Sequence, residues 1–288
     1  MQAAACWLNE EDLRYIVAVL KKIPMALTLV LVPMIGILGC GRHPQDHGPD
    51  LDGYNILVVM VDTLRADHMS LYGYERPTTP FIDRFFSNAV VFEHARSQAS
   101  CTHPSVNSLL TSRNPAIFTR SEHAFLGVPE EYPGIAEILQ QHGYRTIAVS
   151  ASPIVRATAS DFNPSGGFDR GFDVFVENSL WKPGAHVSRE LLAQIDATDE
   201  PFFAYAHFMD PHGPYRPPEN YERVFAGEYE GHQFIKRGRP VPISKVLSGE
   251  RPDLVITDRD IQHLVDLYDD EIRYFDRVFR RLIRNLKE

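Results

Sequence analysis

Two stretches of this chain fit only inside a sheet. Tyr54-Asn55-Ile56-Leu57-Val58-Val59-Met60-Val61 and Pro201-Phe202-Phe203-Ala204-Tyr205-Ala206-His207-Phe208-Met209 are nearly continuous apolar runs. A strand with one wet face would alternate apolar with polar, so the first run reads as a strand buried on both faces of a parallel sheet, and the second as another core strand. Arg145-Thr146-Ile147-Ala148-Val149-Ser150 is a third strand. Helical spacing separates them. Gly134 to His142 carries Ile135, Ile138 and Leu139 on one face and stops at Gly143. Residues 184–196 turn Val187, Leu191, Leu192 and Ile195 to one side. From Thr257 to Leu286, Ile261, Leu264, Tyr268, Ile272, Phe275, Phe279, Leu282 and Leu286 recur at three- and four-residue steps. Strands alternating with helices imply an α/β fold with a mostly parallel central sheet.

In open α/β sheets, ligands bind beyond the carboxyl ends of the strands. The first strand empties into Asp62-Thr63-Leu64-Arg65-Ala66-Asp67-His68, and the later one into Asp210-Pro211-His212-Gly213-Pro214-Tyr215. Asp62 therefore stands where a metal-binding carboxylate belongs, although a lone loop carboxylate also serves as an ordinary cap. Histidine is the residue type suited to general-acid work near neutral pH, which makes His212 a candidate, with His207 a second. A single histidine just as readily satisfies a hydrogen bond in a core.

Ser100-Cys101-Thr102-His103-Pro104-Ser105 leads into the apolar helical run Val106 to Thr111. Proline is favoured in a first helical turn because its missing N–H would have no partner there. Thr102 is thus expected at a helix mouth, where free N–H groups and partial positive charge attract anions. As a nucleophile it would face a sulfate or phosphate ester; as a plain N-cap it would only satisfy the helix.

The chain's net charge of −9 argues against a general nucleic-acid binder, so an anionic ligand has to be drawn by a local feature. Three scattered cysteines, Cys6, Cys40 and Cys101, make neither a disulfide framework nor a zinc cluster. Lys21-Lys22, a short apolar stretch and Ile37-Leu38-Gly39-Cys40 describe an export signal for residues 1–40. The apolar stretch is shorter than the ~20 residues of a spanning helix and is interrupted by Pro33, which weighs against an uncleaved anchor. The ending looks like a bacterial lipobox, which implies lipid attachment at Cys40 and a protein exported and anchored on the periplasmic or cell-surface side of a bacterial membrane. The 20 residues ahead of Lys21 are unusual for such a signal, and translation from near Val19 would account for them. Residues 41–53, polar with Gly and Pro, read as a linker. Residues 219–253 read as a long surface excursion, and their Lys236-Arg237-Gly238-Arg239 cluster as a solvated loop or a contact for an acidic substrate.

Together these motifs resemble the sulfatase family within the alkaline-phosphatase-like superfamily. Val61-Asp62 through Asp67-His68 and Leu71-Tyr72-Gly73-Tyr74 match its opening V-D-x-x-R-x-D-H-x-x-x-Y-G-Y. Ser108-Leu109-Leu110-Thr111 matches S-L-L-T. Phe168 to Asp173 resembles G-F-D-x-G-F-D, a structural turn. His207 to Pro218 matches H-x-x-x-P-H-x-P-Y-x-P-P, and Tyr268 to Ile272 resembles the Y-D-x-E-I of a packing helix. Val90-Val91-Phe92 reads as a short strand ahead of the nucleophile segment.

The resemblance implies a three-layer α/β/α sandwich and a metal-dependent hydrolase of small sulfate or phosphate esters. Asp62 and Thr102 would be ligands of a divalent cation (calcium, manganese or zinc), Thr102 the nucleophile, and His212, with His207, the catalytic histidines. The sequence also departs from the family. Its usual C-x-P-S-R becomes Thr102-His103-Pro104-Ser105-Val106, so no formylglycine is expected at Thr102, and the branch resembled is the one using threonine in phosphoester chemistry. Ser150-Ala151-Ser152-Pro153 replaces the usual Lys- and His-bearing segment after its strand. The family's later Asp-His or Asp-Asn pair has no counterpart before Glu288. Residues 54–288 are accordingly expected to be the N-terminal part of the fold, incomplete at the C-terminus, with weak metal binding and little turnover. The competing expectation is a non-catalytic, lipid-anchored remnant domain.

Overall fold

The computed structural model describes residues 53–118, 127–177, 179–231, 235–236, 239–240 and 256–287. The expected export signal, Cys40, nearly all of the linker and part of the Lys236–Arg239 cluster lie outside these residues.

Four parallel strands form the sheet: β1 (Ile56–Val61), β2 (Arg145–Ser150), β3 (Val174–Val176) and β4 (Phe202–Phe208), in the order β1-β4-β2-β3. Every residue of β4 is buried, whereas β1 is half-buried along its whole length. The expectation that β1 is buried on both faces is corrected: in the described sheet it is an edge strand, flanked only by β4. Register pairs Met60 with His207 and Val61 with Phe208.

Side chains alternate across β4. Phe202, Ala204, Ala206 and Phe208 join Ile147 and Val149 of β2 in one core cluster. Against that face lie α1 (Pro80–Phe85), α4 (Gly184–Ile195) and α5 (Asp258–Asn285), contributing Ile82, Val187, Leu191, Phe275, Phe279 and Leu282. The opposite face carries Phe203 and Tyr205, covered by α2 (Thr102–Thr111) through Val106 and Leu110 and by α3 (Ile135–Gln141) through Ala136. Helices on both faces of a parallel sheet make the expected three-layer α/β/α arrangement. Outside it, Ile235–Lys236 and Arg239–Pro240 pair as a two-residue antiparallel ribbon.

Three local expectations are corrected. Val90-Val91-Phe92 forms no strand and is largely exposed, Val90 at 82% and Phe92 at 70%; none of the four sheet strands pairs with it. On α3, Ile135 and Ile138 face outward, and contact with the sheet runs through Ala136 and Leu139, because the small alanine lets the helix close on Phe203. Ile261 at the start of α5 is exposed, while its neighbour Asp260 in the same turn is buried. The turn over Phe168–Asp173 forms as expected. There Gly171, at φ 82°, lies so close to α3 that a Cβ would come within 2.4 Å of the Glu137 nitrogen.

α5 does more than pack. Thr257 and Asp260 form its capping box. Further along, its carboxylates are buried and serve as acceptors for loops that would otherwise leave N–H groups unpaired. Asp276 accepts from the amides of Phe81 and Ile82 at the start of α1. Asp270 accepts from those of Val224, Phe225 and Ala226. Asp269 binds His68, Tyr74 and Arg76. Glu271 accepts from the Arg216 amide at 2.5 Å. Burial, then the neighbouring charge of Asp210, pushes its carboxyl up to about 9.

That shift fixes a sign. A carboxyl raised in the folded state holds its proton while the unfolded chain, near its ordinary 4.5, has released it. The stability tied to Glu271 is complete below about pH 4.5 and is lost as pH climbs toward about 9. Glu271→Gln keeps an acceptor for the Arg216 amide without the titration. Its melting temperature is expected to fall several degrees less than that of the wild type between about pH 5 and about pH 9, as read by calorimetry; equal falls would remove Glu271 as the cause.

Candidate active site

The β1–β4 register builds the site. Where β1 ends, the Asp62 amide still donates to the Phe208 carbonyl at 2.9 Å, so Asp62 emerges beside the end of β4. His207 and Tyr205 lie two residues apart on β4 and share the face toward α2. The His207 Nε2 meets Asp62 Oδ2 at 3.2 Å, and the Tyr205 hydroxyl meets His207 Nδ1 at 2.9 Å. Tyr205 is fully buried, and desolvation first, then Asp62, raises its phenol well above the ordinary range. It therefore stays protonated and donates to Nδ1, which leaves Nε2–H to donate to Asp62.

Thr102 completes the group from the other side. It is the first residue of α2; Cys101 is the N-cap and makes no side-chain cap. The plain-cap reading of Thr102 is thereby set aside. Its hydroxyl donates to Asp62 Oδ2 at 3.1 Å, so one carboxylate oxygen accepts from both Thr102 and His207. Burial works against the charge on Asp62, but the His207 hydrogen bond, the electrostatic influence of the neighbouring His207 and His212 imidazoles and the Thr102 hydroxyl outweigh it and hold the carboxyl below its ordinary 3.8. Asp62 is an ionised anchor at neutral pH.

His212 lies on the loop after β4. Its amide donates to the Met209 carbonyl at 2.9 Å and its Nδ1 donates to the Gly213 carbonyl at 2.8 Å, leaving Nε2 as the nitrogen for a ligand. The Trp181 ring stands edge-on to it, with centroids 5.2 Å apart.

The turn that aims Asp62 is pinned from a distance of more than two hundred residues along the chain. Thr63 has φ 57°, a left-handed conformation that costs a β-branched residue of order 1–3 kcal/mol. The Tyr268 hydroxyl of α5 donates to the Thr63 carbonyl at 2.7 Å and accepts from the Arg65 amide at 2.9 Å. The pattern Y-D-x-E-I marks this helix as packing; Tyr268 also orients the turn behind the site.

All four expected site residues, Asp62, Thr102, His207 and His212, thus belong to one neighbourhood. Sequence reading missed Tyr205, hidden in an apolar run, and Trp181, whose stretch has no periodicity. The i, i+2 spacing of Tyr205 and His207 on a strand was the available signal for the first. At and just past the end of β2, Ser150 and Ser152 are buried and accept backbone N–H bonds within their own segment.

A divalent cation fits these residues only in part. One carboxylate, one hydroxyl and one imidazole converge, and no group of three or more His, Cys, Asp or Glu side chains among the described residues could hold a metal ion. Calcium takes six to eight oxygen ligands, and manganese and zinc also need several. The described donors therefore do not make a complete cation site.

The family model described as Sulfatase matches residues 54–288. Among curated proteins, N-acetylglucosamine-6-O-sulfatase of Bacteroides thetaiotaomicron is 22% identical over 264 residues, 82% of this chain and 46% of that protein. Iduronate 2-sulfatase of Homo sapiens is 24% identical over 211 residues, 60% of this chain and 38% of that protein. The chain spans less than half the length of these relatives. Among solved structures, the C-terminal periplasmic domain of EcEptC from Escherichia coli superposes with a TM-score of 0.58 at 20% identity, covering 82% of this chain and 59% of that one. Phosphonate Monoester Hydrolase of Agrobacterium radiobacter gives 0.58 at 16% identity, covering 81% and 59%. At these identities the two structures establish a shared fold.

The pinning by Tyr268 is open to a direct test. Tyr268→Phe deletes both of its hydrogen bonds and leaves the ring packing. We expect a loss of about 1–3 kcal/mol in urea denaturation, together with faster hydrogen exchange at the Arg65 amide. Unchanged exchange at Arg65 would mean that the turn holds itself.

Proposed function

The chain belongs to the sulfatase family, and from that premise we propose that it acts on small anionic esters, sulfate or phosphate, with Thr102 as nucleophile. The observation that carries the proposal is the shared oxygen of Asp62, which receives both the Thr102 hydroxyl and His207 at the mouth of α2. Asp62 draws the hydroxyl proton to one side and leaves the oxygen lone pairs of Thr102 free to meet an electrophile. Tyr205 fixes the His207 ring, and His207 in turn fixes Asp62. The first-turn N–H groups of α2 favour the negative charge of the ester oxygens.

In the proposed step, Thr102 Oγ1 gives its proton to Asp62 Oδ2 and forms a bond to sulfur or phosphorus as the bond to the leaving oxygen breaks. His212, protonated, gives its Nε2 proton to that oxygen. The resulting threonyl ester is released by water, or passes its group to an acceptor alcohol. A divalent cation, when bound, would neutralise ester oxygens; because the described donors are incomplete for one, no step is assigned to it.

A second reading has its own support: the uncharged segment Ser150-Ala151-Ser152-Pro153 at the end of β2 and the incomplete donor set. On that reading the chain binds its anion without turning it over. Release of 4-nitrophenol from 4-nitrophenyl sulfate and 4-nitrophenyl phosphate, with manganese, calcium or zinc added in turn, separates the two. For an enzyme, Thr102→Ala lowers turnover on the order of 10³-fold or more, and His212→Ala on the order of 10²-fold. Turnover equal in wild type and Thr102→Ala would sink the catalytic reading.

The proposal extends to location: export, with lipid on Cys40 tethering the domain to a membrane. Among the described residues no helix is long and apolar enough to cross a membrane. Cys40→Ser is expected to move the protein from the membrane fraction to the soluble one on cell fractionation. Unchanged partition would remove Cys40 as the anchor.

A further inference from the structure

Trp181 is an anomaly beside the site. Its backbone has φ 54°, a left-handed conformation rare for a bulky residue. Such strain persists only where the surroundings over-determine it. Here the Trp181 amide donates to the Ala151 carbonyl, just past β2, at 3.0 Å, and the Lys182 amide donates to the Ser179 carbonyl at 2.8 Å. The segment is thus fixed to the sheet, with Pro183 and the start of α4 following. Yet the indole it holds is not used for the core. Trp181 is 43% exposed and the adjacent Leu180 37%. Its ring contact is His212, the residue assigned above to protonate the leaving oxygen.

An indole placed in strained backbone, open to solvent and touching the acid, is a wall for whatever lies beyond the leaving oxygen. We infer that Trp181 is a specificity-determining residue that stacks on a ring in the leaving group, an aryl ring or the C–H face of a sugar. The inference rests on the proposed role of His212 and deepens it by naming the class of ester. Charge recognition acts at Thr102, His212 and the first-turn amides of α2; ring recognition acts at Trp181. The two contributions are separable because the indole carries no charge and its ring is directed at His212 rather than at the carboxylate.

Calorimetric titration of the full chain with inorganic phosphate, methyl phosphate and 4-nitrophenyl phosphate tests this. The wild type is expected to bind the aryl ester more tightly than the methyl ester. Trp181→Ala weakens the aryl ester by about threefold to tenfold and leaves inorganic phosphate unchanged, and Trp181→Phe restores most of the loss. A merely structural role would lower all three affinities together, and that result overturns the inference. Equal affinities of wild type and Trp181→Ala for the aryl ester overturn it as well, while phosphate binding keeps the anion site standing. No binding of any of the three probes overturns the anion site and the inference with it.

Discussion

The parallel pairing of β1 with β4 is the constraint on which the site depends. Asp62 has its place because its amide still belongs to the ladder, on Phe208, while its side chain has left the strand. A slip of one residue would carry His207 and Tyr205 to the face occupied by α4 and α5. It would also put Phe208 beside the carboxylate, so that Asp62 would lose the His207 donor and gain an apolar neighbour. The apolar alternation on β4, alanine and phenylalanine on one face, phenylalanine, tyrosine and histidine on the other, makes that slip costly.

The register alone does not aim the carboxylate. Asp62 is followed by a residue in a left-handed conformation, and the strain there is offset by Tyr268. The same helix supplies Asp269, Asp270, Glu271 and Asp276 to loops on the near side of the sheet. A charge run on a helix is ordinarily a solvated face. Here it is an internal set of acceptors, so α5 couples the position of the site to the fold of loops around residues 63–82 and 216–226. Gly184 belongs to this arrangement: a Cβ there would lie 2.5 Å from Asp210 Oδ2, so only glycine admits the carboxylate to the first turn of α4.

Much of this could be read from the residues, and for identifiable reasons. β1, β2, β4 and α5 follow from periodicity and length, and Asp62, Thr102 and His212 from their position at strand and helix ends. What could not be read depended on who pairs with whom. Apolar content marked β1 as interior, but its half-buried state is a property of its place in the sheet. Val90 to Phe92 has strand composition and no strand partner among the described residues. Ile135 and Ile138 obeyed helical spacing, yet the small residue between them, Ala136, set the contact face. Tyr205 was concealed by the apolar character of its neighbours, and the acceptor role of Asp269 to Glu271 required knowing which loops cross α5.

The electrostatics of the site follow from the same geometry. Two unit charges about 4 Å apart interact by about 1 kcal/mol in water and about 4 kcal/mol near a protein surface. An ionised Asp62 therefore opposes an incoming anion, and the chain's net charge of −9 offers no help at long range. What offsets the repulsion must act at short range: the Nε2–H of His207 already spent on the carboxylate, the imidazole of His212 and the amides at the mouth of α2. Because His207 and Thr102 both donate to one oxygen, much of the Asp62 charge is already engaged before a ligand arrives. On the proposed function, binding at this site would thus be governed by a few hydrogen bonds whose directions are set by β4 and α2, with little contribution from the overall field of the protein.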